Sequence, residues 1–98
     1  MPSDQFVIAL TTFPADGDAE AFARTLVTEK LAACVNVLPP MESIYRWKGV
    51  VEKSNERQLI IKTTSATVAA LSKRLKQLHP YDVPEFLVLP ISLAQSPA

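Results

Sequence analysis

The sequence predicts an α+β fold: one four-stranded antiparallel sheet with two helices on a single face, assembled as a trimer. Three observations carry that expectation. Apolar runs of strand length alternate with two amphipathic helical stripes in the order strand, helix, strand, strand, helix, strand, which is the split βαβ arrangement, and right-handed crossovers put both helices on one side of the sheet. The stretch Met41 to Thr64 reads as a hairpin too long for its domain. Finally, Phe6 to Leu10 and Phe86 to Ile91 are apolar on both faces, so the sheet face opposite the helices is not wet, and other subunits are its simplest cover.

The first strand, Phe6 to Phe13, runs Phe-Val-Ile-Ala-Leu without interruption until Pro14 ends it. Asp16-Gly17-Asp18 then offers capping carboxylates, and Ala19, Phe22, Ala23, Leu26, Val27 and Leu31 recur at helical spacing, which predicts a helix to about Ala32. Cys34 to Leu38 resumes strand character and breaks at Pro39-Pro40, a pair that a strand tolerates only at an edge or bulge. In the hairpin, Tyr45 and Trp47 share one face while Ile44, Arg46 and Lys48 share the other, and Gly49 supplies the turn. From Val50 to Thr63 there is neither Pro nor Gly. Arms of about 12 residues would span roughly 40 Å, twice an ordinary strand. Thr64-Ser65 starts a second helix whose stripe is Val68, Leu71, Leu75 and Leu78, and Pro80 ends it by disfavouring helical geometry at His79. Lys73, Arg74 and Lys76 read as solvated cations near its negative pole. Phe86 to Ile91 is the last strand, followed by a Ser/Pro/Ala tail expected to fray. The expectation is one domain over residues 1–98, with an ordered core of about 5–92.

Composition excludes several functions. Ten basic and ten acidic side chains cancel without forming blocks, so nucleic acid and anionic membrane are not expected partners. No stretch approaches the length of a membrane span and the N-terminus has no secretory pattern, which makes the expected compartment cytoplasmic. Cys34 is the only cysteine, so no intrachain disulfide exists. Two glycines cannot build a phosphate-cradling loop, and no nucleophile and base pair is visible, so the chain is not expected to be an enzyme or to carry an organic cofactor.

Four spaced motifs occur in order: Leu31-Ala32-Ala33-Cys34-Val35-Asn36, Ser43-Ile44-Tyr45-Arg46-Trp47-Lys48-Gly49, Glu56 with Leu59-Ile60-Ile61-Lys62-Thr63, and His79-Pro80-Tyr81-Asp82-Val83-Pro84-Glu85. Together they resemble the CutA divalent-cation-tolerance family, over about Phe6 to Ile91. The resemblance implies a ferredoxin-like protomer in a tight homotrimer similar to the PII signalling proteins, with the hairpin reaching across subunit boundaries, and a role in tolerance of divalent metals, particularly copper. Family members usually carry a segment with a Tyr and a Trp where this chain has Ser92 to Ala98.

The candidate sites follow from residue chemistry. His79 is the only histidine and Cys34 the only thiol, both natural ligands for Cu²⁺ or Zn²⁺, and Asp82 adds a carboxylate in a loop stiffened by two prolines. Bland readings stand beside these: His79 bonding the last helix carbonyls, Cys34 packing as a small hydrophobe. Without paired spacing, a metal site is expected only from single ligands, weakly bound, or shared between protomers. Lys62, an ammonium within an apolar strand, needs a carboxylate such as Glu56 or Glu85, or a pocket. Tyr45 and Trp47 are interface anchors or line a cleft. The resemblance places Lys62, Tyr81 and Glu85 near the cleft between protomers, where an effector-binding module would hold its ligand. A third reading is a trimeric scaffold.

Overall fold

The computed structural model describes residues 5–92. Strand β1 (Phe6–Pro14) leads to helix α1 (Ala19–Thr28), then β2 (Cys34–Val37), β3 (Met41–Trp47) and the 15-residue β4 (Val50–Thr64). A 3₁₀ turn, Ser65–Thr67, runs into α2 (Val68–Leu78), and β5 (Leu87–Pro90) closes the sheet. All pairings are antiparallel, with β4 and β1 central and β2 and β5 at the edges. The tail expected to fray falls at 93–98, outside the described residues.

β4 explains the long hairpin. Its second half, Glu56 to Thr64, pairs with β1, while its first half, Val50 to Asn55, pairs only with β3 and projects past the sheet body. β2 and β3 lie end to end along the same edge of β4, Cys34 opposite Lys62 and Met41 opposite Glu56. Pro39-Pro40 divides them because neither residue can donate to the ladder. The hairpin is therefore asymmetric, seven residues of β3 against fifteen of β4, rather than two arms of about 12. Lys48 and Gly49 both take positive φ (51° and 79°), the requirement of a two-residue type I′ turn.

Side chains alternate cleanly in β1: Val7, Ala9, Thr11 and Phe13 are buried, and Phe6, Ile8, Leu10 and Thr12 are half-buried. The buried set meets Phe22 and Leu26 of α1 and Leu71 and Leu75 of α2 in one core with Leu59 and Ile61, which places both helices on one face. Of the two strands expected to be covered on both sides, β1 is buried on one face only and β5 is exposed along its whole length within a single chain.

α1 is capped by Asp18, whose carboxylate accepts from Ala21 N–H at 3.0 Å. It stops at Thr28, four residues before the expected end. Lys30 takes φ of 62°, its N–H donates to Val27 O at 3.0 Å, and Leu31 N–H donates to Leu26 O at 2.9 Å. That is a Schellman motif with lysine where glycine is usual. Leu31 thus belongs to the cap and packs on the core from there. Arg74 is no solvated cation either: its Nε and Nη2 each sit 2.8 Å from an oxygen of Glu29, a fork joining α2 to the end of α1. The fork holds the Glu29 carboxyl below its usual range.

Candidate functional site

His79 is where the loop to β5 begins. Pro80 forces it out of helical geometry (φ −75°, ψ 137°), and its amide still caps α2 by donating to Leu75 O at 2.8 Å. The ring is buried among Phe13, Phe22 and Tyr81, with centroids 5.1, 5.7 and 4.9 Å away. Nδ1 accepts from Tyr81 N–H at 3.1 Å, so the ring proton sits on Nε2, which donates to Thr12 O at 2.7 Å. Burial pushes its pKa down, opposed by the Thr12 carbonyl and the charge of Glu56. A neutral imidazole with both nitrogens engaged pins the loop to the end of β1.

From that pin Tyr81 reaches the hairpin. Its hydroxyl donates to Glu56 Oε2 at 2.7 Å, and Glu56 is 8% exposed. Burial and then this bond raise the phenol well above its ordinary pKa. Glu56, Gln58 and Ser54 share one face of β4, and their partners on β3 and β1 are Met41, Ser43 and Thr12. Tyr45 Oη and Ser54 Oγ are 2.8 Å apart across the hairpin. Gln58 Nε2 donates to Thr11 O at 2.8 Å and lies 3.5 Å from Glu85 Oε2. The result is a groove of about 760 Å³ along the hairpin, walled by Tyr45, Trp47, Tyr81, Val83, Pro84 and Glu85 and floored by Glu56 and Gln58. It has the size of a small-molecule site.

Four of the expected binding residues, Tyr45, Trp47, Tyr81 and Glu85, thus meet in one place. Lys62 is elsewhere. It pairs with Cys34 and Ile8, six positions along β4 from Glu56 or about 20 Å. The two expected carboxylate partners are occupied otherwise, Glu56 by Tyr81 and Glu85 beside Gln58, and among the described residues Lys62 is in no ion pair. Its half-buried position on a strand face is that of a snorkelling side chain.

The structure does not gather His79, Cys34 and Asp82. His79 binds Thr12, opposite Gln58, whereas Cys34 is opposite Lys62, four residues or about 13 Å farther along β4. Asp82 is exposed in the loop. Among the described residues no three His, Cys, Asp or Glu side chains cluster as a metal would need. A resident Cu²⁺ or Zn²⁺ held by this set within one protomer does not fit the donors as arranged.

The sequence reading missed Gln58, Ser43 and Ser54, and took Glu56 only as a partner for Lys62. Ser54, Glu56 and Gln58 lie within an unbroken polar run from Glu52 to Gln58, so local alternation offered no signal that singled out their face.

The family model described as CutA1 divalent ion tolerance protein matches residues 7–97. The chain belongs to that family. Among its CutA relatives, the divalent-cation tolerance protein CutA of Thermus thermophilus is 47% identical over 85 residues, covering 87% of this chain and 82% of that one. A CutA homolog of Xenopus laevis is 46% identical, covering 99% of this chain and 68% of that protein. Solved CutA structures agree in fold. The Thermus thermophilus protein gives a TM-score of 0.88 at 44% identity, covering 92% of this chain and 87% of that chain. A PII-like protein CutA from Nostoc sp. PCC 7120 gives 0.81 at 42% identity, covering 88% and 81%. The expected CutA resemblance and its PII-like architecture are thereby borne out. Among the described residues no helix is long and apolar enough to cross a membrane.

Proposed function

We propose that this chain acts as a homotrimeric, non-catalytic cytoplasmic protein of divalent-cation tolerance, and that the hairpin groove is where it meets its ligand. The observation that carries the reading is the convergence of Tyr45, Trp47, Tyr81, Glu56 and Glu85 on one groove. Exposed apolar side chains outside the groove support the trimer: Val50 and Val51 on the hairpin are each at least 56% exposed, and Leu87 on edge strand β5 is 54% exposed. Such surface is a liability in a monomer and the natural seat of a subunit contact.

That relatives are divalent-cation tolerance proteins supports a divalent metal as the ligand. Contact with Cu²⁺ or Zn²⁺ then falls to the carboxylates of Glu85 and Asp82, because His79 would first have to give up a hydrogen bond. Carboxylates without nitrogen or sulfur bind Cu²⁺ weakly, which suits tolerance better than storage. Light scattering should give the three-chain mass at micromolar protein, and a monomer would defeat the reading. A thermal-shift panel spanning metals, amines and anionic metabolites tests the groove, since a ligand of the folded state raises the melting temperature by mass action. No shift with any class would count against a ligand site.

A further inference from the structure

We propose that the hairpin groove takes an organic ammonium ion, a small amine in its protonated form. This rests on the reading of the groove as a ligand site and adds a second ligand class beside the divalent metal. The lining carries two carboxylates, Glu56 and Glu85, three aromatic side chains, Tyr45, Trp47 and Tyr81, and no lysine or arginine. Two neighbouring cations are committed elsewhere. Arg57 Nε donates to Leu38 O at 2.9 Å, and Lys53 pairs with Glu42 at 3.2 Å.

Charge and surface chemistry select the ligand. An anion entering this lining meets two carboxylates with no cation to offset them. A bare Mg²⁺ or Ca²⁺ needs about six oxygen donors in a shell, and among the described residues no three His, Cys, Asp or Glu side chains cluster to begin one. An organic ammonium ion uses both features, pairing its charge with a carboxylate and laying its N–CH₂ surface on the rings. The fold already sets one ammonium against such a ring, with Lys48 Nζ 5.8 Å from the centre of Trp47. The phenol oxygens of Tyr45 and Tyr81 are spent on Ser54 and Glu56, so these side chains offer ring surface rather than hydrogen bonds.

Trp47 is the only tryptophan in the chain, so its fluorescence reports on this groove alone. The intact protein should be titrated with 1,4-diaminobutane, with the neutral isostere 1,4-butanediol, with inorganic phosphate and with Cu²⁺. The expected result is a saturable change with the diamine and none with the diol, and about tenfold weaker binding in Glu85→Gln, whose circular dichroism stays that of wild type. Equal responses to diamine and diol, or unchanged affinity in Glu85→Gln, would overturn the proposal. If phosphate or Cu²⁺ saturates while the diamine does not, the groove stands and the ammonium class falls. If none of the four saturates, both fall.

Discussion

Replacing Tyr81 by phenylalanine removes one oxygen and leaves the ring on His79, so it isolates the bond between the loop and Glu56. That bond is 2.7 Å long, and its acceptor is a carboxylate only 8% exposed with no ion pair among the described residues. A hydrogen bond to a charged group contributes about 1.5–3 kcal/mol net, and the groove beside Glu56 admits water to the orphaned carboxylate, which favours the lower half of that range. About 1.5–2 kcal/mol raises the unfolded fraction 10- to 30-fold and lowers a urea midpoint by about 1 M at an ordinary slope. The contribution disappears at high pH. The folded-state pKa of Tyr81 lies above its unfolded value near 10, so its contribution is complete below pH 10 and lost above it, where the unfolded chain releases the phenolic proton first. Wild type should therefore lose stability above pH 10 by at most about 1.4 kcal/mol per unit, discounted for the solvent that reaches the half-buried ring, while Tyr81→Phe lacks this slope. Urea denaturation at fixed protein concentration, at pH 7.5 and through pH 10–11.5, measures both. Equal midpoints at pH 7.5 would refute the claim that this bond holds the loop to the hairpin.

Two further outcomes follow from the same geometry. His79 has a depressed folded-state pKa, so its neutral form contributes stability that is present above pH 6.5 and lost as pH falls through the folded value; wild type should lose stability between pH 6.5 and 5 more steeply than His79→Gln, as equilibrium unfolding would measure. Lys30→Gly should stabilise the protein by about 0.5–1 kcal/mol, because the Schellman position at φ 62° suits glycine; a loss of stability in the denaturant midpoint would show that the lysine side chain outweighs its backbone strain.

The sequence was readable wherever periodicity and covalent geometry decide the structure. Both helices and the strands occur near where apolar spacing, Gly49 and Pro80 put them, except that β1 runs through Pro14 and Pro39-Pro40 splits β2 from β3, giving five strands where four were expected. It misled where a residue took a neighbour's role: Lys30 stands in for the glycine that would have marked the end of α1, and Lys48 shares the positive-φ turn credited to Gly49 alone. The site was readable in part. Tyr45, Trp47, Tyr81 and Glu85 were found because aromatic and charged residues on a hairpin and a proline-stiffened loop are conspicuous. Lys62 was conspicuous too, yet it lies six residues from Glu56 on one extended strand, about 20 Å, a separation that a strand over Val50 to Thr63 already implied. His79 shows the limit best. Sequence offers a single imidazole in a loop, whereas its meaning lies in Thr12, 67 residues away, whose carbonyl occupies Nε2.

Calorimetric titration of the intact oligomer with Cu²⁺, comparing wild type, His79→Gln and Glu85→Gln, tests most directly whether the groove or the lone histidine is the functional centre. The account predicts weak binding whose stoichiometry survives His79→Gln and whose heat diminishes in Glu85→Gln. Loss of the heat in a folded His79→Gln, with Glu85→Gln unchanged, would contradict it.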